Sequence, residues 1–298
     1  MLKREGLNYR HREHDSLVYV AAKRYWYWNS RGRSINALDY LVEIRGYGLV
    51  DAVNRLTDGG GQPIRTTQRV AVKPVFTKEP ERRPLFLPWG RRCSTALVSY
   101  LQHRGISSKI ISRCLSLGLM YAARYRGKEV CIFMGKDDAG RVKFACLRSF
   151  EGDLKKDVSG SDKRYGFCYP PQNPGSRHLA VFEAPIDALS HATLQELEGW
   201  NWEGYRLSLG GTSQVAIISF LERHPEICRV TLHMDNDLAG LVNARMIKAI
   251  LKQDQRFKHI RVGINPPRKG KDYNEILLLV REQMKKQKQP CRQKQGEL

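Results

Sequence analysis

The feature that most restricts the fold of this chain is an alternation of short apolar runs with amphipathic stretches, which begins near residue 178. Short apolar runs predict buried strands, and the helical spacing that follows each run predicts a helix. The predicted strands span 178–182, 206–209, 229–234 and 259–264. The predicted helices span 186–197, 214–223, 239–253 and 272–281. Repeated strand–helix units imply an α/β fold, with a parallel sheet, right-handed crossovers and helices packed on the sheet.

Two of the predicted strands end abruptly in acidic residues. Glu183 follows the run 179–182, and Asp235 and Asp237 follow the run 230–234. Because ligands of open α/β sheets lie beyond the carboxyl ends of the strands, these side chains converge if the two strands are neighbours. Carboxylates that close repel one another unless a cation lies between them, and oxygen ligands favour Mg²⁺ or Mn²⁺ over zinc. The alternative is a solvated Asp-Asn-Asp loop and a Glu183 that only supports a helix start.

The charge of the chain points to a polyanionic partner. The sequence has 51 Lys and Arg against 30 Asp and Glu, a net charge of +21. Such an excess favours nucleic acid, with an anionic membrane surface as the weaker option. No apolar run approaches the length of a membrane span, and the first residues lack a signal-peptide core. We therefore expect a cytoplasmic protein with no membrane partner.

The seven cysteines are scattered and form no Cys-x-x-Cys motif. This distribution argues against a disulfide framework and against a zinc knuckle, so the cysteines are expected to be reduced.

Residues 1–61 are predicted to form a small module of strands and helices. The alternating stretch 16–20 suits a strand, and the cluster of basic and aromatic residues over 24–31 suits a second one. Such side chains on strands either stack on bases and hold phosphates or form the core of a small sheet. Helical spacing follows over 35–44 and 49–56. Residues 62–92 hold five prolines among charges and are predicted to be a linker.

Residues 93–172 are predicted to form a separate α+β subdomain. Two helices, 94–104 and 107–117, precede a hairpin of strands 129–134 and 142–147. Asp137 and Asp138 lie in the hairpin turn, where a structural role is favoured over metal binding. Three basic residues of the hairpin could hold a strand of nucleic acid, namely Arg141, Lys143 and Arg148. Residues 282–298 are predicted to be a disordered basic tail.

Four motifs of the last third of the chain resemble the TOPRIM domain, which DnaG-type primases share with type IA and type II topoisomerases and some nucleases. They are Glu-Ala-Pro-Ile-Asp at 183–187, Leu-Gly-Gly-Thr-Ser at 209–213, Asp-Asn-Asp-Leu-Ala-Gly at 235–240 and Gly-Lys-Asp-Tyr-Asn-Glu at 270–275. The resemblance implies a TOPRIM domain with a Rossmann-like parallel sheet over 173–281. Asn274 is a departure, because it replaces an acid of the primase motif.

The resemblance extends upstream of the TOPRIM motifs. The segment 100–148 is similar to the part of primases that precedes TOPRIM, and 36–53 is similar to the helical end of the primase zinc-binding module. The layout over about 10–281 resembles the primase-like TOPRIM proteins of bacterial plasmids and integrative elements, of the DUF3991/TOPRIM type.

The zinc-binding module is degenerate in this chain. Trp28 and Arg31 stand where a Cys-x-x-Cys would lie, and His11 and His14 are the remaining candidate ligands. Two histidines without thiolates make a poor structural zinc site. We therefore predict a zinc-free module held together by Trp and Tyr side chains.

The resemblance also implies roles for the strand-end residues. Glu183 is implied to be a general base or a metal-linked carboxylate, and Asp235 and Asp237 are implied to hold Mg²⁺, which contacts the phosphates of a nucleotide. Asp272 is a further candidate ligand. Asp187 is either an acid behind the ligands or a charge at a helix N-terminus.

Other motif residues are candidates for binding phosphate. Lys271 is implied to meet a triphosphate, with a solvated lysine as the alternative. Gly210, Gly211 and Thr212 allow close backbone approach to a phosphate at a helix start, but a tight strand-to-helix turn explains them equally well.

Three functions are compatible with these residues. The first is a primase-like nucleotidyltransferase that uses nucleotides on single-stranded DNA and serves the replication or transfer of a plasmid or integrative element, with a helicase or relaxase as candidate partner. The second is a TOPRIM nuclease or nicking enzyme. The third is a non-catalytic accessory protein that binds single-stranded DNA. A topoisomerase is disfavoured, because no segment remains for a strand-passage gate and its active tyrosine.

Overall fold

The computed structural model describes residues 2–5, 8–11, 13, 16–21, 25–28, 33–57, 84–91, 93–173, 175–200, 202–211 and 214–288. The chain divides into two compact units, Met1–Val75 and Phe76–Leu298. The predicted boundaries at 61, 92, 172 and 281 stay predictions.

The first unit contains a five-stranded antiparallel sheet in which each strand pairs with the next along the chain. Its strands are β1 (Leu2–Glu5), β2 (Asn8–His11), β3 (Leu17–Val20), β4 (Tyr25–Trp28) and β5 (Arg33–Ile35). A single α-helical turn, α1 (Ala37–Asp39), a π-helix over Tyr40–Ile44 and helix α2 (Leu49–Thr57) follow. The sequence predicted β3, β4 and α2, but β1, β2 and β5 were missed. The prediction of one helix over 35–44 was wrong in length and type. Ile35 belongs to β5, and Asn36 caps α1 by accepting from the backbone N–H groups of Leu38 and Asp39.

Aromatic side chains fill the core of the first unit, as predicted. Trp26 and Trp28 are buried with Leu17 and Ile35. The Trp26 ring stacks on Tyr40, with centroids 4.6 Å apart and planes 2° from parallel. His11 is buried against the same two rings. His14 and Arg31 lie outside the described residues, and the absence of zinc stays a prediction.

The first part of the second unit contains two helices and an antiparallel sheet. The helices are α3 (Thr95–His103) and α4 (Ser108–Ser116), and the strands are β6 (Gly90–Arg91), β7 (Met120–Tyr125), β8 (Lys128–Lys136), β9 (Val142–Ser149) and β10 (Lys155–Asp157). The order across the sheet is β10-β9-β8-β7-β6. Ser94 and Ser107 cap the two helices by accepting from the backbone N–H groups of Leu97 and Ile110. The predicted hairpin is β8–β9, whereas β7 and β10 were not predicted.

The second sheet of this unit has the predicted strand–helix alternation. Its strands are β11 (Phe167–Tyr169), β12 (His178–Phe182), β13 (Tyr205–Ser208), β14 (Arg229–Leu232) and β15 (Arg261–Ile264). The order is β11-β13-β12-β14-β15, with β11 antiparallel and the other four strands parallel. The helices are α5 (Pro185–Leu197), α6 (Val215–Arg223), α7 (Leu238–Gln253) and α8 (Tyr273–Lys288). The predicted α/β fold is therefore confirmed.

Helix α8 corrects one prediction. It continues past the predicted end at residue 281 to Lys288, over residues assigned to a disordered tail. The continuation contains no Gly or Pro, and Glu282 and Lys286 form an ion pair one helical turn apart, both of which favour a helix.

Side chains of β12 alternate between two cores. Ala180 and Phe182 pack in a core that includes residues of α3, α4, α5 and α8, whereas Leu179 and Val181 pack with α6 and α7. The first core joins the antiparallel sheet to the parallel sheet, since Phe133 and Phe144 belong to it together with Phe182. Among the described residues, no helix is long and apolar enough to cross a membrane.

Candidate active site

The two strands that end in carboxylates are neighbours in the parallel sheet. β12 pairs with β14, and the register His178↔Arg229 to Val181↔Leu232 brings their carboxyl ends to the same edge. The backbone N–H of Asp235 donates a hydrogen bond to Glu183 Oε1 at 3.2 Å. The convergence expected from the sequence is thus present at this edge.

The environment of Glu183 and Asp235 favours their protonated forms. Burial, followed by the charges of Asp235 and Asp237, raises the pKa of Glu183 to about 7. Burial, followed by the charges of Asp272 and Asp237, raises the pKa of Asp235 to about 6. Burial and nearby negative charges both disfavour the ionised form of a carboxyl group, which is why both pKa values rise.

Asp237 combines a structural contact with a place at the site. Its Oδ1 accepts a hydrogen bond from the backbone N–H of Gly240 at 2.9 Å, so it is the N-cap of α7. Its Oδ2 lies 3.4 Å from Lys271 Nζ. Position 240 requires a glycine for a steric reason. A Cβ on Gly240 would lie 2.2 Å from the carbonyl oxygen of Asp235.

Asp187 is the acid behind the strand ends rather than a solvated helix charge. Its residue is 6% exposed, and its Oδ1 accepts a hydrogen bond from the backbone N–H of Asn274 at 3.2 Å. Burial, followed by the charges of Asp272 and Asp235, raises the pKa of Asp187 to about 8.

Asp272 and Lys271 lie at the start of α8, next to the strand ends. Asp272 Oδ1 accepts from the backbone N–H of Glu275 at 2.8 Å, so this acid also supports a helix start. The carbonyl oxygen of Lys271 accepts from the backbone N–H of Asn236 at 2.7 Å, which ties this loop to the Asp-Asn-Asp segment. The Lys271 side chain is largely exposed and pairs with Asp237.

Carboxylates and basic residues together line a cavity of about 410 Å³. The acids are Glu183, Asp187, Asp235 and Asp272, together with Asp157, and the bases are Arg104, Arg148, Lys155, Lys156 and Lys271. The volume is in the range of small-molecule sites. Acids and bases around one cavity suit a ligand that carries phosphates and a metal ion.

The structure brings only one of the three predicted hairpin bases to this cavity. Arg148 lines it, and Lys155 of β10 is its partner across the strand pair. Arg141 and Lys143 lie instead at Asp137, with nitrogen–oxygen distances of 2.9 and 3.8 Å. These two residues therefore do not contribute to the cavity.

Three basic residues of the cavity were missed in the sequence. Lys155 and Lys156 lie in a polar stretch that was interpreted as a boundary, and Arg104 is the C-cap of α3. Arg104 Nε is buried with no hydrogen-bond partner. The adjacent lysines were the one feature of the sequence that could have indicated this basic surface. Their place in the cavity follows from the pairing of β10 with β9, which the sequence did not predict.

The glycine loop after β13 has backbone conformations that require glycine. Gly210 and Gly211 line the cavity with φ angles of 65° and 131°. The N–H of Gly211 donates to the carbonyl oxygen of Glu183 at 3.1 Å, so this N–H holds the turn together. The geometry supports the tight-turn interpretation of these glycines. Thr212 lies outside the described residues.

The donor set at the strand ends fits Mg²⁺. All candidate ligands are carboxylate oxygens, and the pKa values of Glu183 and Asp235 are raised by burial and then by the repulsion from neighbouring carboxylates, which a cation would relieve. Among the described residues no three His, Cys, Asp or Glu side chains are already arranged around one metal position. Mg²⁺ does not need such a cage, because it is commonly held by one or two carboxylates, waters and substrate phosphates.

Residues 180–277, which include the strand-end carboxylates, match the family described as Toprim-like. Residues 99–173 match the family described as a protein of unknown function, DUF3991. The predicted resemblance is confirmed by these two matches. A relative is pXO2-78, an uncharacterized plasmid protein of Bacillus anthracis, 26% identical over 245 residues that cover 78% of this chain and 68% of the relative.

Solved structures similar to this chain include three primases. The primase fragment of the bacteriophage T7 primase–helicase protein has a TM-score of 0.45 and 16% identity, over 94% of this chain and 93% of that chain. The Aquifex aeolicus primase fragment with zinc-binding and RNA polymerase domains has a TM-score of 0.41 and 15% identity, over 96% and 79%. The Escherichia coli primase catalytic core has a TM-score of 0.44 and 19% identity, over 63% and 69%.

Proposed function

We propose that this protein is a primase-like nucleotidyltransferase that joins nucleotides on a single-stranded DNA template. The observation that carries the proposal is the cavity of about 410 Å³ that is lined by both strand-end carboxylates and Arg and Lys side chains. Bound Mg²⁺ would neutralise the negative charge that develops on the substrate phosphates during transfer. Asp235 and Asp237 are the residues that would hold it, with Asp272 as a further candidate.

In the proposed reaction Glu183 is the residue that moves a proton. Burial, followed by the charge of Asp235, raises its pKa to about 7 in the metal-free protein. A bound cation would lower this pKa and favour the ionised form, which can accept a proton. Glu183 then accepts the proton of the attacking hydroxyl group. The buried carboxyl group of Asp187 holds the backbone of Asn274 and so fixes the start of α8 beside it.

The basic residues that line the cavity are suited to bind the phosphates of the substrate. Arg148 and Lys155 lie opposite each other on β9 and β10, and Arg104 joins them from the end of α3. Arginine and lysine contacts to phosphate position a nucleic acid without reading its sequence. The net charge of +21 supports a polyanionic template. The similarity to a plasmid protein supports a role in the replication or transfer of a plasmid or integrative element. A helicase or relaxase remains a proposed partner.

The test is a polymerisation assay with single-stranded DNA templates, Mg²⁺ and ribo- or deoxyribonucleotides. Asp235→Asn and Glu183→Gln should each reduce product by about 100-fold or more, since each removes a charge used in the transition state. Asp254→Asn is the matched control, because this acid pairs with Arg256 and does not line the cavity. Its activity should equal that of the wild type.

Three results would contradict the proposal. Absence of product from every template would exclude nucleotidyl transfer under these conditions. Loss of the template in the presence of Mg²⁺ or Mn²⁺, sensitive to Asp235→Asn, would identify a nuclease or nicking enzyme instead. Binding of single-stranded DNA that is independent of Mg²⁺ and unchanged by Asp235→Asn, without product, would identify a non-catalytic accessory protein.

A further inference from the structure

A second cavity, of about 250 Å³, lies apart from the carboxylate site and shares no lining residue with it. Residues of α4, β11, the end of α5 and the segment before β13 line it. The residues that matter for its chemistry are Lys109, Arg113, Gln195, Trp200, Trp202 and Arg206. None of them has a role in the function proposed above.

Arg206 is a buried cation with unused hydrogen-bond donors. It is 5% exposed, and its Nε donates to His191 Nδ1 at 3.2 Å. Among the described residues, its two terminal nitrogens have no hydrogen bond and no ion pair with a carboxylate. Burial lowers the pKa of Arg206 to about 10, so it remains charged at neutral pH. A guanidinium group has five N–H donors, and a buried charge without an opposite charge is unfavourable.

Aromatic rings hold the Arg206 guanidinium in place. Its central carbon lies 4.5 Å from the centroid of the Trp202 ring and 5.8 Å from that of Tyr169. Such contacts orient the planar group and leave its edge available for an anion. Arg206 is one of the residues that line the cavity.

Arg113 adds a second fixed positive charge to the cavity. Its Nη2 donates to the carbonyl oxygen of Pro171 at 2.7 Å, and its central carbon lies 5.0 Å from the centroid of the Tyr169 ring. The two lining carboxylates are already engaged, because Glu196 accepts from Ser107 Oγ and Glu203 accepts from the backbone N–H of Asn173. These neutral donors leave both carboxylates charged, so the three bases Lys109, Arg113 and Arg206 against two acids give the lining a net charge of +1.

Two further groups of the cavity suit a nucleoside. Gln195 lines the cavity, and among the described residues its buried Oε1 has no hydrogen-bond partner, which leaves this acceptor unused. Trp200 is 67% exposed at the same cavity and offers a flat apolar surface. Nucleobases stack on exposed aromatic rings irrespective of their identity.

We propose that this cavity binds a nucleoside phosphate, with the phosphate at Arg206 and Arg113 and the base on Trp200. The terminal nitrogens of arginine match the geometry of two phosphate oxygens. The enclosed volume is smaller than that of most small-molecule sites, which fits a site that encloses the phosphate while the base rests on the exposed ring. A free nucleotide and the phosphorylated 5′ end of a nucleic-acid strand offer the same chemistry.

The test is calorimetric titration of the full chain without divalent metal. The probes are AMP, inorganic phosphate, adenosine, and one oligodeoxynucleotide with and without a 5′ phosphate. Trp200→Ala should weaken AMP binding about tenfold and leave phosphate binding unchanged, since one stacked base is lost. Arg206→Lys should weaken the binding of AMP and of phosphate together. Trp89→Ala, which removes another exposed indole, should leave AMP binding unchanged. Arg148→Ala reports any AMP that binds at the carboxylate cavity instead.

The results distinguish a free nucleotide from the phosphorylated end of a strand as the ligand. Saturable AMP binding that depends on Trp200 supports a site for free nucleotides, and a preference for the phosphorylated oligonucleotide that depends on Trp200 supports a strand-end site.

The absence of saturable binding for every phosphate probe overturns the proposal. So does binding that Arg148→Ala abolishes and Trp200→Ala leaves unchanged, because the ligand then occupies the carboxylate cavity. Tighter binding of a glutamate-rich peptide than of AMP would assign the cavity to a protein partner instead. Trp200→Ala carries the decision if Arg206→Lys does not fold, since Trp200 is exposed.

Discussion

Asn274 replaces an acid of the primase motif, and its contacts explain why an amide is suited to this position. The residue is 3% exposed. Its Nδ2 donates to the carbonyl oxygen of Arg104 at 2.7 Å and to Ser190 Oγ at 3.0 Å. Its backbone N–H donates to Asp187. A carboxylate here would face a carbonyl oxygen and lie beside another acid, so the substitution does not by itself indicate a lost catalytic group.

Asn274→Asp should therefore destabilise the protein. The variant loses two donors and buries a charge without a partner, at a cost of about 3 kcal/mol of unfolding free energy. Urea denaturation at neutral pH measures this cost. Gln255→Glu makes the same amide-to-acid change at an exposed position and should have little effect. Equal stability of Asn274→Asp and the wild type would show that the network contributes nothing.

Asp187 gives a prediction about pH. Its pKa rises from an ordinary 3.8 to about 8 in the folded protein, so between these values the folded state binds the proton more tightly than the unfolded state. This group consequently stabilises the folded state less as the pH rises through that window. Asp187→Asn keeps an acceptor for Asn274 but cannot ionise. In metal-free buffer its unfolding free energy, relative to the wild type, should increase from pH 5 to pH 8 by about 2 kcal/mol or more. A difference that stays constant over this range would contradict the raised pKa.

At the scale of elements, the sequence predicted what depends on local pattern and missed what depends on pairing. The four parallel strands were predictable from apolar runs, and their acidic ends followed from chain order. β10 (Lys155–Asp157) has no apolar residue, so its strand conformation comes from pairing with β9. That pairing is also what brings Lys155 to the cavity beside Arg148. Arg104 was missed for the same reason, because it reaches the cavity only through the packing of α3.

The start of α7 is the element that holds two site carboxylates in position. Gly240 contacts the backbone of Asp235 and donates to Asp237, so its small size and its N–H both serve the site. Gly240→Ala would place a Cβ 2.2 Å from the carbonyl oxygen of Asp235, which forces the strand end and the helix apart. We expect a loss of about 1–3 kcal/mol of stability and a larger proportional loss of Mg²⁺-dependent activity.

Gly263→Ala is the matched control for this substitution. No atom lies within 4 Å of a Cβ built at Gly263, and its φ angle is not positive. Denaturation and the polymerisation assay should both distinguish the two variants. Equal behaviour of the two alanine variants would show that the approach of α7 to Asp235 is not tight.

At the scale of the whole molecule, a charge of +21 favours non-specific binding to any nucleic acid. The distribution of the charge therefore decides what such binding means. In the second unit, five bases line the carboxylate cavity, whereas others, such as Arg124 and Lys128, are exposed on β7 and β8. Salt dependence separates the two groups, because each phosphate contact releases counterions.

The double variant Arg148→Ala/Lys155→Ala tests whether the cavity holds the template. If each residue contacts one phosphate, the slope of log affinity for single-stranded DNA against log salt should fall in magnitude by about 1.4, since each contact contributes roughly 0.7. Arg124→Ala/Lys128→Ala removes the same net charge from another surface and should leave the slope nearly unchanged. Fluorescence anisotropy with a labelled oligonucleotide over a salt series measures both. Equal slopes for the two double variants would mean that net charge, and not this cavity, binds the strand.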